Sequence, residues 1–217
     1  MTEIALSRVH FPVTTLGPGR RIGIWLQGCS IRCKGCVSAD TWAQGRGLTS
    51  VEAVTRSMRN WIPAAEGITI SGGEPFDQPQ ALRDLLQGLR ALTPVDILVF
   101  SGYRFEGLAG VLPEFDGLID ALISEPFEQA APQTLALRGS DNQRLHFLTD
   151  LGRARFETFE RRLSGDDLRF DVMFDADGQV WLAGIPARGD FARLRKLLKA
   201  AGHRVVLSDA SERETGA

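Results

Sequence analysis

Length, composition and charge predict a single globular unit. The chain has 217 residues, of which 43% are hydrophobic, and a formal net charge of −2, so it can build one ordinary core. The near-neutral balance argues against a nucleic-acid-binding protein, because such proteins neutralise phosphates with a basic excess. No apolar run approaches the roughly 18 residues of a membrane-spanning helix, and no secretion signal is recognisable. We therefore expect a cytoplasmic protein that binds neither membranes nor nucleic acid.

Short apolar runs alternate with segments of helical period, which is typical of an α/β protein with a mainly parallel sheet. The predicted strands are residues 22–26, 68–70, 96–100, 121–124 and 145–148. Thr49 and Glu52 form a capping-box pattern for a helix that continues to Trp61. Asp77 is predicted to cap a second helix, with Pro79 in its first turn. The buried stripe of that helix is predicted to be Leu82, Leu85, Leu86 and Leu89.

The pattern changes from about residue 168. Two strands, 170–174 and 180–182, flank a predicted turn at 175–178 and form a hairpin. A last helix ends near Gly202, is followed by residues 204–207, and directs Phe191, Leu194, Leu197 and Leu198 inward. The basic run of this helix is interpreted as a solvated face. We expect a core of residues 1–155, an extension of residues 156–207 packed on it, and a disordered polar tail of residues 208–217.

All three cysteines fall between Cys29 and Cys36, with the spacing C-x3-C-x2-C directly after a predicted buried strand. Clustered cysteines in a cytosolic protein indicate metal or redox chemistry rather than a disulfide framework. Thiolates are the usual ligands of iron–sulfur clusters, and a four-iron cluster that only transfers electrons takes four of them. With Cys29, Cys33 and Cys36 as the only cysteines, a 4Fe-4S cluster would keep one iron open for a substrate.

Two other interpretations of the cysteines stay open at this point. One is a Cys3His zinc site, with His146 or His10 as the distant fourth ligand, although zinc sites commonly pair two cysteine or histidine knuckles. The other is three thiols that simply pack, which the neighbouring glycines and charged residues disfavour.

A glycine-rich turn follows the strand at residues 68–70. It reads Ser71-Gly72-Gly73-Glu74-Pro75 and lies at the carboxyl end of that strand, the edge at which α/β folds bind ligands. The glycines allow backbone groups to approach a ligand closely, and Glu74 can accept a hydrogen bond from a cationic amine.

Together these motifs resemble the radical S-adenosylmethionine (SAM) superfamily, and specifically the activating enzyme of the anaerobic (class III) ribonucleotide reductase. The resemblance spans roughly residues 17–150. It is carried, in the family's order, by the cysteine loop, Gly17-Pro18-Gly19-Arg20-Arg21, Thr41-Trp42, the glycine-rich turn, Ser101-Gly102-Tyr103, Glu125-Pro126-Phe127 and Arg138-Gly139-Ser140-Asp141-Asn142-Gln143.

The resemblance implies a reduced cluster that cleaves SAM to methionine and a 5′-deoxyadenosyl radical, which abstracts hydrogen from a glycine of a glycyl-radical partner. It implies an incomplete (β/α) barrel, since a full barrel takes about 250 residues, here with a C-terminal β-hairpin plus helix extension. An electron donor such as flavodoxin or ferredoxin is also implied. Cys29, Cys33 and Cys36 would hold the metal, and the candidate SAM-binding residues are Gly35, Ser71, Gly72, Gly73, Glu74, Ser101 and Asn142.

Some segments depart from the pattern of the reductase activators. Ser124-Glu125 stands where those proteins tend to have Asp-Gly, and the chain from residue 156 onward exceeds their usual length. Two further hypotheses therefore remain: a radical SAM enzyme that modifies a small molecule or peptide, and a non-enzymatic metal-binding scaffold.

Overall fold

The computed structural model describes residues 1–174 and 180–203, which form an α/β unit. The predicted turn at 175–178, residues 204–207 and the tail 208–217 lie outside the described residues. The strands of the described part are β1 (Glu3–Val13), β2 (Arg21–Leu26), β3 (Leu48–Ser50), β4 (Gly67–Gly72), β5 (Asp96–Phe100), β6 (Ala121–Ser124), β7 (Arg144–Phe147), β8 (Phe170–Phe174) and β9 (Val180–Gly184). Its α-helices are α1 (Val51–Ser57), α2 (Pro79–Leu92), α3 (Asp150–Phe156) and α4 (Asp190–Ala200).

One sheet of seven strands, in the order β3-β1-β2-β4-β5-β6-β7, organises the chain. Its central strands β2, β4, β5 and β6 are parallel, whereas β1, β3 and β7 pair antiparallel at the two sides. The prediction of an α/β fold with a largely parallel sheet is therefore confirmed. Parallel strands align their carboxyl ends, so the loops after β2, β4, β5 and β6 meet at one edge.

The core lies between the central strands and α2. The predicted stripe of α2 is completely buried, and so are the apolar side chains of β4 and β5 except Phe100, which is half-buried. Strands covered on both faces are continuously apolar, which explains why residues 68–70 and 96–100 were predictable from the sequence.

A buried ion network fixes the opposite, amino-terminal ends of the same strands. The guanidinium of Arg21 donates to Asp96 at 2.6 Å, to the Thr69 hydroxyl at 2.7 Å and to the carbonyls of Pro18 and Ile68. Both side chains of the Arg21–Asp96 pair are inaccessible to water. The glycine-proline-glycine-arginine element therefore serves the framework, at the end of the sheet away from the cysteines.

Two predicted helix starts were wrong by one residue. Ser50 caps α1 by accepting from Ala53 N–H at 3.1 Å, and both Ser50 and Thr49 pair with β1 as residues of β3. The helix also ends at Ser57 instead of continuing to Trp61, with Met58 as its C-cap, and a separate 3-10 helix follows at Ile62–Ala64.

The start of α2 differs for a different reason. Gln78 occupies the N-cap position, and its amide bonds to β1 at the backbone of Ala5. Asp77 instead ends a short 3-10 helix, Pro75–Asp77, and its carboxylate is bound elsewhere. Strand β1 was not predicted, because most of its residues are half-buried and show no clear alternation of apolar and polar side chains.

The hairpin β8–β9 and α4 pack against the core. Asp171 accepts hydrogen bonds from the backbone and hydroxyl groups of Thr14 and Thr15, and Met173 and Ala183 are buried against Val13 and Leu16. The prediction that Leu197 points inward was wrong, because its side chain is 64% exposed. Phe191, Leu194 and Leu198 of α4 are half-buried. In residues 1–174 and 180–203, no helix has the length and apolarity needed to cross a membrane.

Candidate functional site

A cavity of about 470 Å³ opens at the carboxyl edge of the parallel strands. One wall is the cysteine loop after β2 and the glycine-rich turn after β4. The second wall comes from the loops after β5 and β6. The third is the C-terminal hairpin and the start of α4. The cavity therefore brings together the cysteine loop and the glycine-rich turn, which the sequence indicated as a site, and the C-terminal hairpin, which it did not.

The three cysteines line this cavity and are half-buried free thiols. Backbone N–H groups of Arg32 and Ser38 point at the sulfurs of Cys29 (3.5 Å) and Cys36 (3.4 Å). Burial raises the pKa of the Cys36 thiol to about 11 and also raises the pKa values of Cys29 and Cys33. The metal-free thiols are thus protonated near neutral pH, and metal binding must displace their protons.

The glycine-rich turn packs directly on the cysteine loop. Gly72 has φ of +102°, a conformation that favours glycine. A Cβ atom on Gly73 would overlap the carbonyl of Gly28, the residue before Cys29. The N–H of Glu74 donates to that same carbonyl at 2.8 Å. Small residues are therefore required where the two loops touch.

Glu74 is buried at the base of the cavity, with 1% of its surface exposed. Its carboxylate accepts from Phe76 N–H (2.9 Å), the Ser101 hydroxyl (2.9 Å) and Gly102 N–H (2.8 Å). Burial nevertheless raises the pKa of Glu74 to about 7. Oε1 accepts two of these bonds and Oε2 accepts one, so Glu74 holds the turn after β4 to the end of β5.

The other predicted SAM-binding residues divide into two groups. Gly35, Ser71, Gly72, Gly73 and Ser101 line the cavity. Asn142 is not among the described lining residues; its amide donates to the carbonyl of Pro126 at 2.8 Å.

Arg138 is also engaged in the framework. It bonds to the carbonyls of Ala136 and Phe159 and to the Glu160 carboxylate. The geometry therefore favours a structural role for the buried Arg138 side chain over a contact with SAM.

The histidines proposed for a zinc site lie elsewhere. His146 bonds to the Ser124 hydroxyl at 2.9 Å and stacks on Phe105. His10 lies in β1, where it pairs with Gly23 of β2. In the part of the chain that the structure describes, no three His, Cys, Asp or Glu side chains converge as ligands of one metal ion.

Sequence reasoning missed the site residues that act through long-range contacts. Asp77 was assigned to a helix cap, but it bonds to Ser30 of the cysteine loop and to Tyr103. Glu125 lines the cavity with φ of +84°, a conformation that favours glycine. It is held by Arg144 and by the N–H of Phe105. The departure from Asp-Gly at this point was the available signal for Glu125; no local signal marked Asp77.

The donor set fits an iron–sulfur cluster. Three cysteine sulfurs from one loop line the same cavity. Two backbone N–H groups of that loop are directed at the sulfurs of Cys29 and Cys36. Hydrogen bonds of this kind stabilise cluster sulfurs. The glycine-rich turn lines the same cavity and would present backbone groups to a ligand of such a cluster.

Comparison with known proteins agrees with this geometry. Residues 15–146 match the family model of the 4Fe-4S single cluster domain. The anaerobic ribonucleoside-triphosphate reductase-activating protein of Escherichia coli K12 is 33% identical over 149 residues, which cover 64% of this chain and 96% of the relative. Its counterpart from bacteriophage T4 is 30% identical over 139 residues, 62% of this chain and 88% of the relative. The pyruvate formate-lyase-activating enzyme of Clostridium pasteurianum is 40% identical over 110 residues, which cover 46% and 44% of the two chains.

The chain therefore belongs to the family of 4Fe-4S single cluster domain proteins. It is a radical SAM enzyme of the activating type, and its cofactors are a 4Fe-4S cluster and SAM.

Proposed function

We propose that this enzyme installs a glycyl radical on a large partner protein. The cluster, when bound, supplies the electron that cleaves SAM into methionine and a 5′-deoxyadenosyl radical. The chain's own residues hold the cofactors, direct the reacting carbon toward the cavity mouth and keep water away. The observation that carries the proposal is the joint position of the three-cysteine loop and the glycine-rich turn on one cavity.

We assign the metal to Cys29, Cys33 and Cys36, whose thiolates would bind three irons. Ser71, Gly72 and Gly73 would present backbone groups to the amino acid part of SAM, and Gly35 would flank the cluster. Glu74 and Ser101 would act by fixing the turn, as their mutual hydrogen bond suggests.

Asn142 is retained only as a positioning residue of the loop after β6, because its amide bonds to Pro126 rather than facing the cavity.

We infer that the sheet is an incomplete (β/α) barrel with residues 1–155 as its core and 156–207 as an extension. Support for the open barrel comes from the two sheet sides, β3 and β7, which pair with one neighbour each among the described strands. Support for the extension comes from its anchors, which include the bonds of Arg188 to the carbonyls of Gln129 and Ala131. The match to the family model ends at residue 146, before the extension begins.

The extension also favours a second candidate function. Phe170, Ile185 and Phe191 of the extension line the cavity with apolar surface. A radical SAM enzyme that modifies a small molecule or a peptide would use such a wall to enclose its substrate.

We further propose a cytoplasmic enzyme that is reduced by a carrier such as flavodoxin or ferredoxin. Three clustered free thiols require a reducing compartment. Arg32 and Lys34, exposed in the cysteine loop, would complement an acidic carrier.

Anaerobic reconstitution tests the cofactor assignment. The wild-type chain should bind about four iron ions and four sulfides and should form 5′-deoxyadenosine from SAM only when dithionite is added. Cys33→Ser should lose both properties, whereas Ser57→Ala, which changes a hydroxyl group on α1 outside the cavity, should keep both. Equal behaviour of the two variants would refute the assignment.

Electron paramagnetic resonance tests the target. We expect a glycyl doublet on a glycyl-radical protein encoded beside this chain, after incubation with the reduced enzyme and SAM. SAM cleavage without a doublet on that partner would favour the small-molecule or peptide alternative. Zinc binding without SAM cleavage would leave only a metal-binding scaffold.

A further inference from the structure

Asp77 connects three loops at the carboxyl edge of the sheet. Its Oδ2 accepts the backbone N–H of Ser30 at 2.7 Å, and its Oδ1 accepts the hydroxyls of Ser30 at 2.9 Å and Tyr103 at 2.7 Å. Ser30 follows Cys29 directly, Asp77 ends the turn after β4, and Tyr103 lies in the loop after β5. One carboxylate therefore fixes the residue next to a metal ligand from two other loops.

The cysteine loop needs such support because its own backbone is irregular. Arg32 adopts φ of +52°, a conformation that non-glycine residues rarely adopt. The side chains of Ser30, Arg32 and Lys34 are exposed, so packing restrains this stretch little. Two hydrogen bonds from Ser30 to one charged acceptor are stronger than bonds between neutral groups. They define where the loop begins, immediately after Cys29.

Tyr103 completes the arrangement. It is the only tyrosine of the chain, and its hydroxyl lies 3.2 Å from the Ser30 hydroxyl while donating to Asp77. Its backbone N–H bonds to Ser101, the residue that also holds Glu74. The Asp77 group is thus continuous with the polar contacts under the glycine-rich turn.

The charge of Asp77 acts on the same site. Both oxygens of Asp77 bond to Ser30, so its carboxylate lies one residue along the chain from the ligand Cys29. A negative potential at this sulfur also disfavours the arrival of an electron, and cluster potentials depend on nearby charge, hydrogen bonds and exposure. A cation is also close to this ligand, because the Arg32 guanidinium donates to the Cys29 carbonyl at 3.3 Å, and a change at Asp77 leaves that cation in place.

We propose that Asp77 is a positioning residue of the iron–sulfur site: it holds the loop that carries Cys29 and lowers the reduction potential of the cluster. The inference rests on the proposed function. Groups behind the ligands commonly orient them and tune the metal. A lower potential makes electron transfer to a sulfonium cofactor more favourable, which is what this class of reaction demands.

Redox titration of the reconstituted protein, followed by electron paramagnetic resonance, tests the charge. Asp77→Asn should shift the midpoint potential in the positive direction. Asp116→Asn removes the same charge from an exposed position after the 3-10 helix Leu112–Phe115 and should leave the potential at the wild-type value. Equal potentials in the two variants would overturn the electrostatic role.

Iron loss to a chelator tests the positioning. Asp77→Asn should lose iron several-fold faster than wild type, and Tyr103→Phe, which removes one of the three bonds and no charge, should be intermediate. If Asp77→Asn does not fold, Tyr103→Phe and Ser30→Ala carry this test, and wild-type rates in both would overturn it. A wild-type chain that binds no cluster would instead refute the proposed function, so the two failures are distinguishable.

Discussion

Replacement of Gly73 by alanine should separate the two loops that form the site. A Cβ atom at this position would overlap the carbonyl oxygen and carbon of Gly28, which are backbone atoms and cannot move aside as a flexible side chain can. The neighbouring bond from Glu74 N–H to the Gly28 carbonyl, 2.8 Å long, lies in the same contact. The cysteine loop must therefore shift as a unit.

The expected cost follows from two contributions. Inserting a methyl group into a filled space costs about 1–3 kcal/mol, and weakening one buried backbone hydrogen bond costs about 1 kcal/mol. For a loss of about 3 kcal/mol, a chain of this size should unfold at a temperature lower by roughly 6–12 °C. Because Gly28 precedes Cys29, iron retention should fall as well.

Thermal unfolding followed by circular dichroism, with iron analysis after reconstitution, measures both effects. Gly107→Ala is the matched control, because a Cβ atom there meets no heavy atom within 4 Å. The control should change stability by less than about 0.5 kcal/mol. If Gly73→Ala matched Gly107→Ala in unfolding temperature and iron content, the close contact between the loops would not exist as described.

Three further changes probe other parts of the structure. Burial raises the pKa of Glu74 from 4.5 to about 7, so the folded metal-free protein keeps a proton that the unfolded chain releases. Its stability should therefore fall as pH rises through this range. Unfolding temperatures measured from about pH 5 to about pH 8 should depend less on pH in Glu74→Gln than in wild type. Arg21→Met should lower the free energy of unfolding in urea by about 3 kcal/mol, because the buried Asp96 keeps only its ion pair with the partly exposed Arg155. Iron per folded chain should not change. Arg188→Ala removes two bonds that hold the extension to backbone carbonyls and should speed maleimide labelling of the metal-free cysteines. Arg193→Ala, which removes a 71% exposed side chain of α4, should not change the labelling rate. Equal labelling rates in the two variants would show that the extension does not limit access to the cysteines.

The sequence alone determined the features that depend on local pattern. The spacing of the three cysteines, the buried strands β4, β5 and β6, and the stripe of α2 were all readable, because each depends on residues close together in the chain. The ordered motifs also indicated the radical SAM class, which the relatives confirm.

Tertiary structure decided what required distant residues to meet. Asp77 reads as a helix cap in the sequence, but folding brings it to Ser30 and Tyr103, which are 47 and 26 positions away. Glu74 lines the cavity, and folding also gives its carboxylate three donors from the chain itself, which the sequence did not indicate. The extension likewise became a cavity wall only through packing. Local periodicity records which face of an element is apolar, whereas the contacts of a site depend on how loops from separate strands converge at one edge of the sheet.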